Sequence, residues 1–108
     1  MRDGLYRVQF HTQLGIGAGV VLLQGSKLRG GDSRNFYIGT YAESGTRVTA
    51  QVTTDKHTDM PGLASVFGAD PAHISLAGTV KGDSAEMTGT AAEAPGISFR
   101  ATLTRIAD

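Results

Sequence analysis

The chain has no cysteine, no tryptophan, only three prolines, and no excess of either charge. Each shortage excludes something. Without cysteine there is no disulfide framework, no thiolate nucleophile and no cysteine-based zinc site. Small secreted domains commonly rely on such staples, so a reducing, cytoplasmic setting is expected. Ten basic residues against ten acidic ones lack the basic surplus of a nucleic-acid binder, and no nucleic-acid partner is expected. The most apolar run, "LGIGAGVVLL" at residues 14–23, is too short and too broken by glycine to span a bilayer. Asp3 and the alternating "LYRVQF" ahead of it fit a strand better than the basic start of a signal peptide. Neither a membrane nor a leader is expected.

What is present is enough for one core. The 108 residues are 40% hydrophobic and 19% charged, the balance of a folded chain rather than a disordered one. At this length a second core would be starved, so residues 1–108 are read as a single domain. Fifteen glycines point to short strands and turns.

Period-two alternation dominates. Tyr6, Val8 and Phe10 share one face while Arg7 and Gln9 take the other; Val48, Ala50 and Val52 oppose Arg47, Thr49, Gln51 and Thr53. The same pattern recurs through Ile74, Leu76, Gly78 and Val80, through "AEMTGTA", and through Ile97, Phe99, Ala101 and Leu103. About eight strands result, mostly joined by short glycine, asparagine or aspartate turns. One apolar face per strand suits a closed barrel or a sandwich rather than a helix-covered parallel sheet. Sequential hairpins favour an all-β, mainly antiparallel, up-and-down barrel, whose interior at eight strands holds side chains or one small ligand. Glycines at inward positions (Gly17, Gly19, Gly39, Gly78, Gly89) leave room inside or permit sharp bends.

"DMPGLASVFGADP" at residues 59–71 breaks the pattern. Asp59 or Met60 can cap, Pro61 suits a first helical position and Gly68 a stop. Leu63, Val66 and Phe67 stand at i, i+3 and i+4, so the spacing predicts a short helix lying as a lid over one end of the barrel.

The motifs that suggest chemistry fail their context tests. "GIGAG" is followed by a strand instead of the helix a dinucleotide fingerprint needs. "RGGD" likewise precedes no helix and has the residues of a tight turn. In "RNFYIGTY" the adjacent Phe36 and Tyr37 lie on opposite faces, which argues against a base-stacking platform. His57 and Asp59 form an H-x-D pair near the lid, and His73 follows later. They are the candidates for an alternative reading as a small enzyme, or a carrier, working at the barrel mouth, because histidine suits proton transfer near neutral pH. No metal site or cofactor is expected, since three or four convergent ligands are not evident.

One resemblance is carried by motifs in order. "MRDGLYRVQF" and "GAGVVLLQGSKLRGGDSRNFYIGTYAE" contain a basic-Asp-Gly-Leu-Tyr opening (Arg2 to Tyr6), a G-x-G-hydrophobic strand (Gly17 to Leu22), a Gly-Gly-Asp turn (Gly30 to Asp32) and a Tyr-x-Gly strand (Tyr37 to Gly39). The first half of the chain resembles the GrlR family, small regulators of type III secretion. Beyond residue 55 only the proline-containing lid and the strand pattern align. The resemblance implies a lipocalin-like eight-stranded barrel that forms a homodimer and takes a lipid-like or other apolar molecule inside. The best-known member sequesters a transcriptional activator through an exposed run of four acidic residues after the Tyr-x-Gly strand. Here that position reads "AESGTR", with Glu43 alone retained and Arg47 reversing the local sign.

The expectation is therefore a non-enzymatic regulatory binding protein with an unidentified protein partner and no assigned catalytic residue. Candidate ligand contacts are the inward Tyr6, Val8 and Phe10, Tyr37 and Tyr41, Val48 and Val52. Leu76, Met87, Phe99 and Leu103 complete the interior, with Leu63 and Phe67 from the lid. The outward Val20, Leu22, Phe36 and Ile38 are the candidate dimer interface.

Overall fold

A computed structural model describes residues 1–63 and 66–108. Eight strands follow one another: β1 (Gly4–Thr12), β2 (Gly15–Gln24), β3 (Lys27–Gly31), β4 (Asn35–Ser44), β5 (Arg47–Lys56), β6 (Ala72–Lys81), β7 (Ser84–Ala91) and β8 (Ala94–Ala107). Each pairs antiparallel with the next, and β8 closes on β1 to complete a barrel. The expected architecture is present.

Two-residue loops set most of the registers. Gln24 faces Lys27 across Gly25-Ser26, where both turn residues have positive φ (58° and 68°). Such a turn matches the right-handed twist of paired strands. Ser44 faces Arg47 and Lys81 faces Ser84 in the same way, so the β2–β3, β4–β5 and β6–β7 connections form a tight end. The opposite end carries the β1–β2, β3–β4 and β7–β8 connections and the long segment 57–71.

The core is the inward row of every strand, with Tyr6, Leu23, Tyr37 and Val48 among the most deeply buried side chains. The inward Gly19, Gly39, Gly78 and Gly89 serve bending more than space, whereas a Cβ on Gly17 would meet only side chains at ordinary contact distance. A Cβ on Gly78 would lie 1.8 Å from the Glu86 carbonyl oxygen, and one on Gly89 would lie 1.8 Å from that of Ser75. Strands approach this closely only where they coil sharply to close a small barrel.

The predicted lid helix is a correction. Among the described residues there is no helix, and residues 57–63 and 66–71 run as turns and irregular chain; Ala64 and Ser65, in the middle of the predicted helix, lie outside the described residues. Gly62, just inside the predicted start, takes a φ of 84°, a conformation foreign to a right-handed helix. The Val66 carbonyl accepts a hydrogen bond from Thr12 Oγ1 at 2.9 Å. The stripe also splits: Phe67 is 2% exposed inside the barrel while Leu63 is 53% exposed. So short a helix gains little from its own hydrogen bonds, and one aromatic dropped into the barrel decides the path.

Candidate functional site

The glycine-rich run at the β3–β4 turn closes on itself. Asp32 Oδ1 accepts the backbone N–H groups of Arg34 at 2.8 Å and Asn35 at 2.7 Å. These are the amides that a phosphate would need. The other oxygen of Asp32 accepts the Tyr37 hydroxyl. Burial, with that acidic neighbour second, pushes the Tyr37 hydroxyl far above the ordinary tyrosine range.

The turn then fastens the crossing segment. Arg34 holds Asp70 through two nitrogens, at 3.2 and 2.5 Å. The buried Asn35 donates to Asp70 Oδ1 and to the buried Thr54 hydroxyl, both at 3.2 Å. The Arg34 hydrogen bonds hold the Asp70 carboxyl below the usual range. His57, at the other end of the segment, donates from Nε2 to the Asp32 carbonyl at 2.9 Å. Asp70, Asn35 and Thr54 escaped the sequence reading. Thirty-six positions separate Arg34 from Asp70, and no local pattern links them; the one signal was an asparagine at an inward strand position.

Behind this latch the barrel is full. Phe67 meets Phe10, Phe99 and Tyr37 edge-on at ring-centroid distances of 5.0, 5.4 and 6.4 Å. Of the interior candidates, Tyr6, Val8, Phe10, Tyr37, Val48, Val52, Phe67, Leu76, Met87, Phe99 and Leu103 are buried in this core, and Tyr41 packs against it half-buried. Leu63 is outside. The cavity that remains among them is about 20 Å³ with a wholly apolar lining, room for about one water molecule. A lipid-sized molecule does not fit in this volume beside Phe67.

The histidines and the acid of the alternative reading are bound to three separate groups. His57 is held by Asp32 and Thr58, Asp59 pairs with Lys56, and His73 Nδ1 meets Glu93 at 2.5 Å. The His73 amide and ring together draw the Glu93 carboxyl down to about 2. Among the described residues no three His, Asp or Glu side chains cluster as metal ligands. Glu43 is engaged within the chain, paired with the Met1 amino group at the tight end.

The exterior is two-sided. Val20, Leu22, Phe36 and Ile38 all point outward, 42%, 40%, 37% and 48% exposed. They adjoin because short β3 lies between β2 and β4: Gly31 pairs with Val20 and Phe36, and Arg29 with Leu22 and Ile38. On the far side, outward positions of β5–β8 are largely hydroxylic, among them Thr49, Ser75, Thr88, Thr90 and Thr102.

No protein-family model matches the chain, and no curated protein matches it.

Proposed function

We propose that this chain is a non-enzymatic regulatory binding module that holds a protein partner against the outer face of β2–β4. One observation carries this reading: the barrel interior is packed while four large apolar side chains stand outside on neighbouring strands. Exposed apolar groups in one cluster mark interaction surfaces, whereas scattered ones do not. The GrlR-like order of motifs in the first half supports a regulatory role. The loss of three of the four acidic residues around Glu43 moves the partner surface away from that turn, because one carboxylate already paired with an amino group is a weak electrostatic device. A lipid-like or apolar molecule inside the barrel belongs to the same reading only as a second state, with Phe67 swung out.

Self-association is the second reading, favoured by the same exposed residues, since a two-fold contact would cover the patch with its own copy. Sedimentation velocity at low micromolar concentration tests it. A dimer that Leu22→Glu or Ile38→Glu converts to monomer supports self-association. A dimer that survives both places the interface elsewhere. A wild-type monomer leaves the face for a different protein, and binding lost on Leu22→Glu then supports the main reading.

A further inference from the structure

The outward rows of β1–β4 segregate charge in a chain that is neutral as a whole. They contain Arg7, Lys27 and Arg29 and not one carboxylate. Among the described residues Arg7, Lys27 and Arg29 have no carboxylate within ion-pair distance, and neither do Arg47, Lys81 and Arg100 on β5–β8; what sets the β1–β4 face apart is that its outward rows hold cations and no acid. Acids border the face: Asp55 on β5, opposite Phe36; Asp32 at the β3–β4 turn, near Ile16 and Ala18; and, at the tight end, Glu43 on the inward row of β4, paired with the Met1 amino group, with Asp3 and Asp108 beside Leu22.

The register interleaves the cations with the apolar patch. Arg7 pairs with Val20 across β1 and β2, and Arg29 sits between Leu22 and Ile38. A guanidinium set centrally among apolar groups is poorly placed for a lipid surface, where charge belongs at the headgroup rim around an inserted apolar tip. Three cations are also too few to track a nucleic-acid backbone. A second copy would set one carboxylate-free face against another, with Arg29 near its own equivalent. A protein surface that offers a carboxylate between apolar side chains fits each feature. The carboxylate can take two parallel hydrogen bonds from Arg29, and the surrounding apolar contacts exclude the water that would weaken them.

We propose that the β1–β4 exterior docks an acidic amphipathic segment of a partner protein, with Arg29 as its central carboxylate receptor and Arg7 and Lys27 at its flanks. This rests on the reading of that face as the docking surface, and adds the sign of the partner.

The test uses the full chain and three fluorescein-labelled amphipathic peptides whose polar positions are all Glu, all Gln or all Lys, opposite a leucine stripe. Anisotropy at low salt gives affinity, and amide chemical shifts locate binding. The Glu peptide is expected to bind roughly tenfold or more tightly than the Lys peptide, as charge-assisted contacts require, with shifts confined to β1–β4. Arg29→Glu should abolish that preference, while Arg100→Glu, on the outward row of β8, should leave it intact. Equal binding of all three peptides on this face would overturn the acidic partner while sparing the docking surface. Shifts that map elsewhere, or no peptide binding by a monomer, would overturn both. Binding to phosphatidylglycerol vesicles without binding to the Glu peptide would replace the proposal with a lipid surface, and a dimer burying Leu22 and Ile38 would replace it with a second copy.

Discussion

Replacing Phe67 with alanine isolates what the crossing segment does for the barrel. The ring is 2% exposed and meets three other rings edge-on, while a cavity of about 20 Å³ already adjoins it. Truncating a buried phenylalanine costs about 3–5 kcal/mol, of which the cavity left behind is part. Each edge-on ring pair contributes about 0.5–1.5 kcal/mol beyond area burial, so losing several favours the upper half of that range. Against a total stability of about 5–15 kcal/mol, the variant is expected to melt on the order of 20–25 °C lower, at about 5 °C per kcal/mol for a domain of this size. Thermal unfolding followed by far-UV circular dichroism reads this directly. Benzene should restore part of the loss in Phe67→Ala and do little for the wild type, because an apolar hole left by a ring stays dry and accepts one. A drop below about 5 °C, corresponding to roughly 1 kcal/mol, with no benzene effect, would refute the assignment of Phe67 as the plug of a packed barrel.

Two further expectations test the latch and the bends. Arg34 lowers the Asp70 carboxyl below its unfolded value, so this pair contributes stability above the ordinary carboxylate range that is lost as pH falls through the lower folded value. Asp70→Asn should therefore destabilise at neutral pH, by about 1–2 kcal/mol for a partly buried charge-assisted pair, and the penalty should shrink as pH falls through the lowered value of the wild-type carboxyl; parallel urea titrations from neutral to acid pH would show a constant penalty if the reasoning is wrong. Gly89→Ala places a methyl 1.8 Å from the Ser75 carbonyl oxygen and should cost about 2 kcal/mol or more as the strands are forced apart; denaturant unfolding that finds it stabilising, as glycine removal in an ordinary strand is, would place the bend elsewhere.

The fold was legible because alternation is a local signal. Val48, Ala50 and Val52, or Phe99, Ala101 and Leu103, announce a strand and its buried face within a few residues, and glycine turns place the hairpins between them. The same signal cannot separate a barrel from a sandwich. That choice lies in the bends at Gly78 and Gly89 and in the pairing of β1 with β8, which only the closed structure displays. The lid failed for a related reason. Leu63, Val66 and Phe67 have helical spacing, yet over five residues an irregular segment that drops one side chain into a hole has the same spectrum. Arg34 and Asp70 form a contact with no local trace. The docking face was half visible: its apolar members were picked out strand by strand, but the charge segregation emerges only when register brings Arg7 of β1 and Lys27 and Arg29 of β3 onto one surface.

The seam between β1 and β8 has a consequence in time. Seven of the eight ladders join strands adjacent in sequence and can form soon after their turns leave the ribosome. The eighth, pairing Tyr6 with Arg105 and Phe10 with Ala101, must wait for nearly the whole described chain to be synthesised. Until then β1 holds an unpaired edge, a template for any other extended segment nearby. A substitution that weakens only this seam would do its harm during synthesis, with the last strand of one molecule completing the first strand of another.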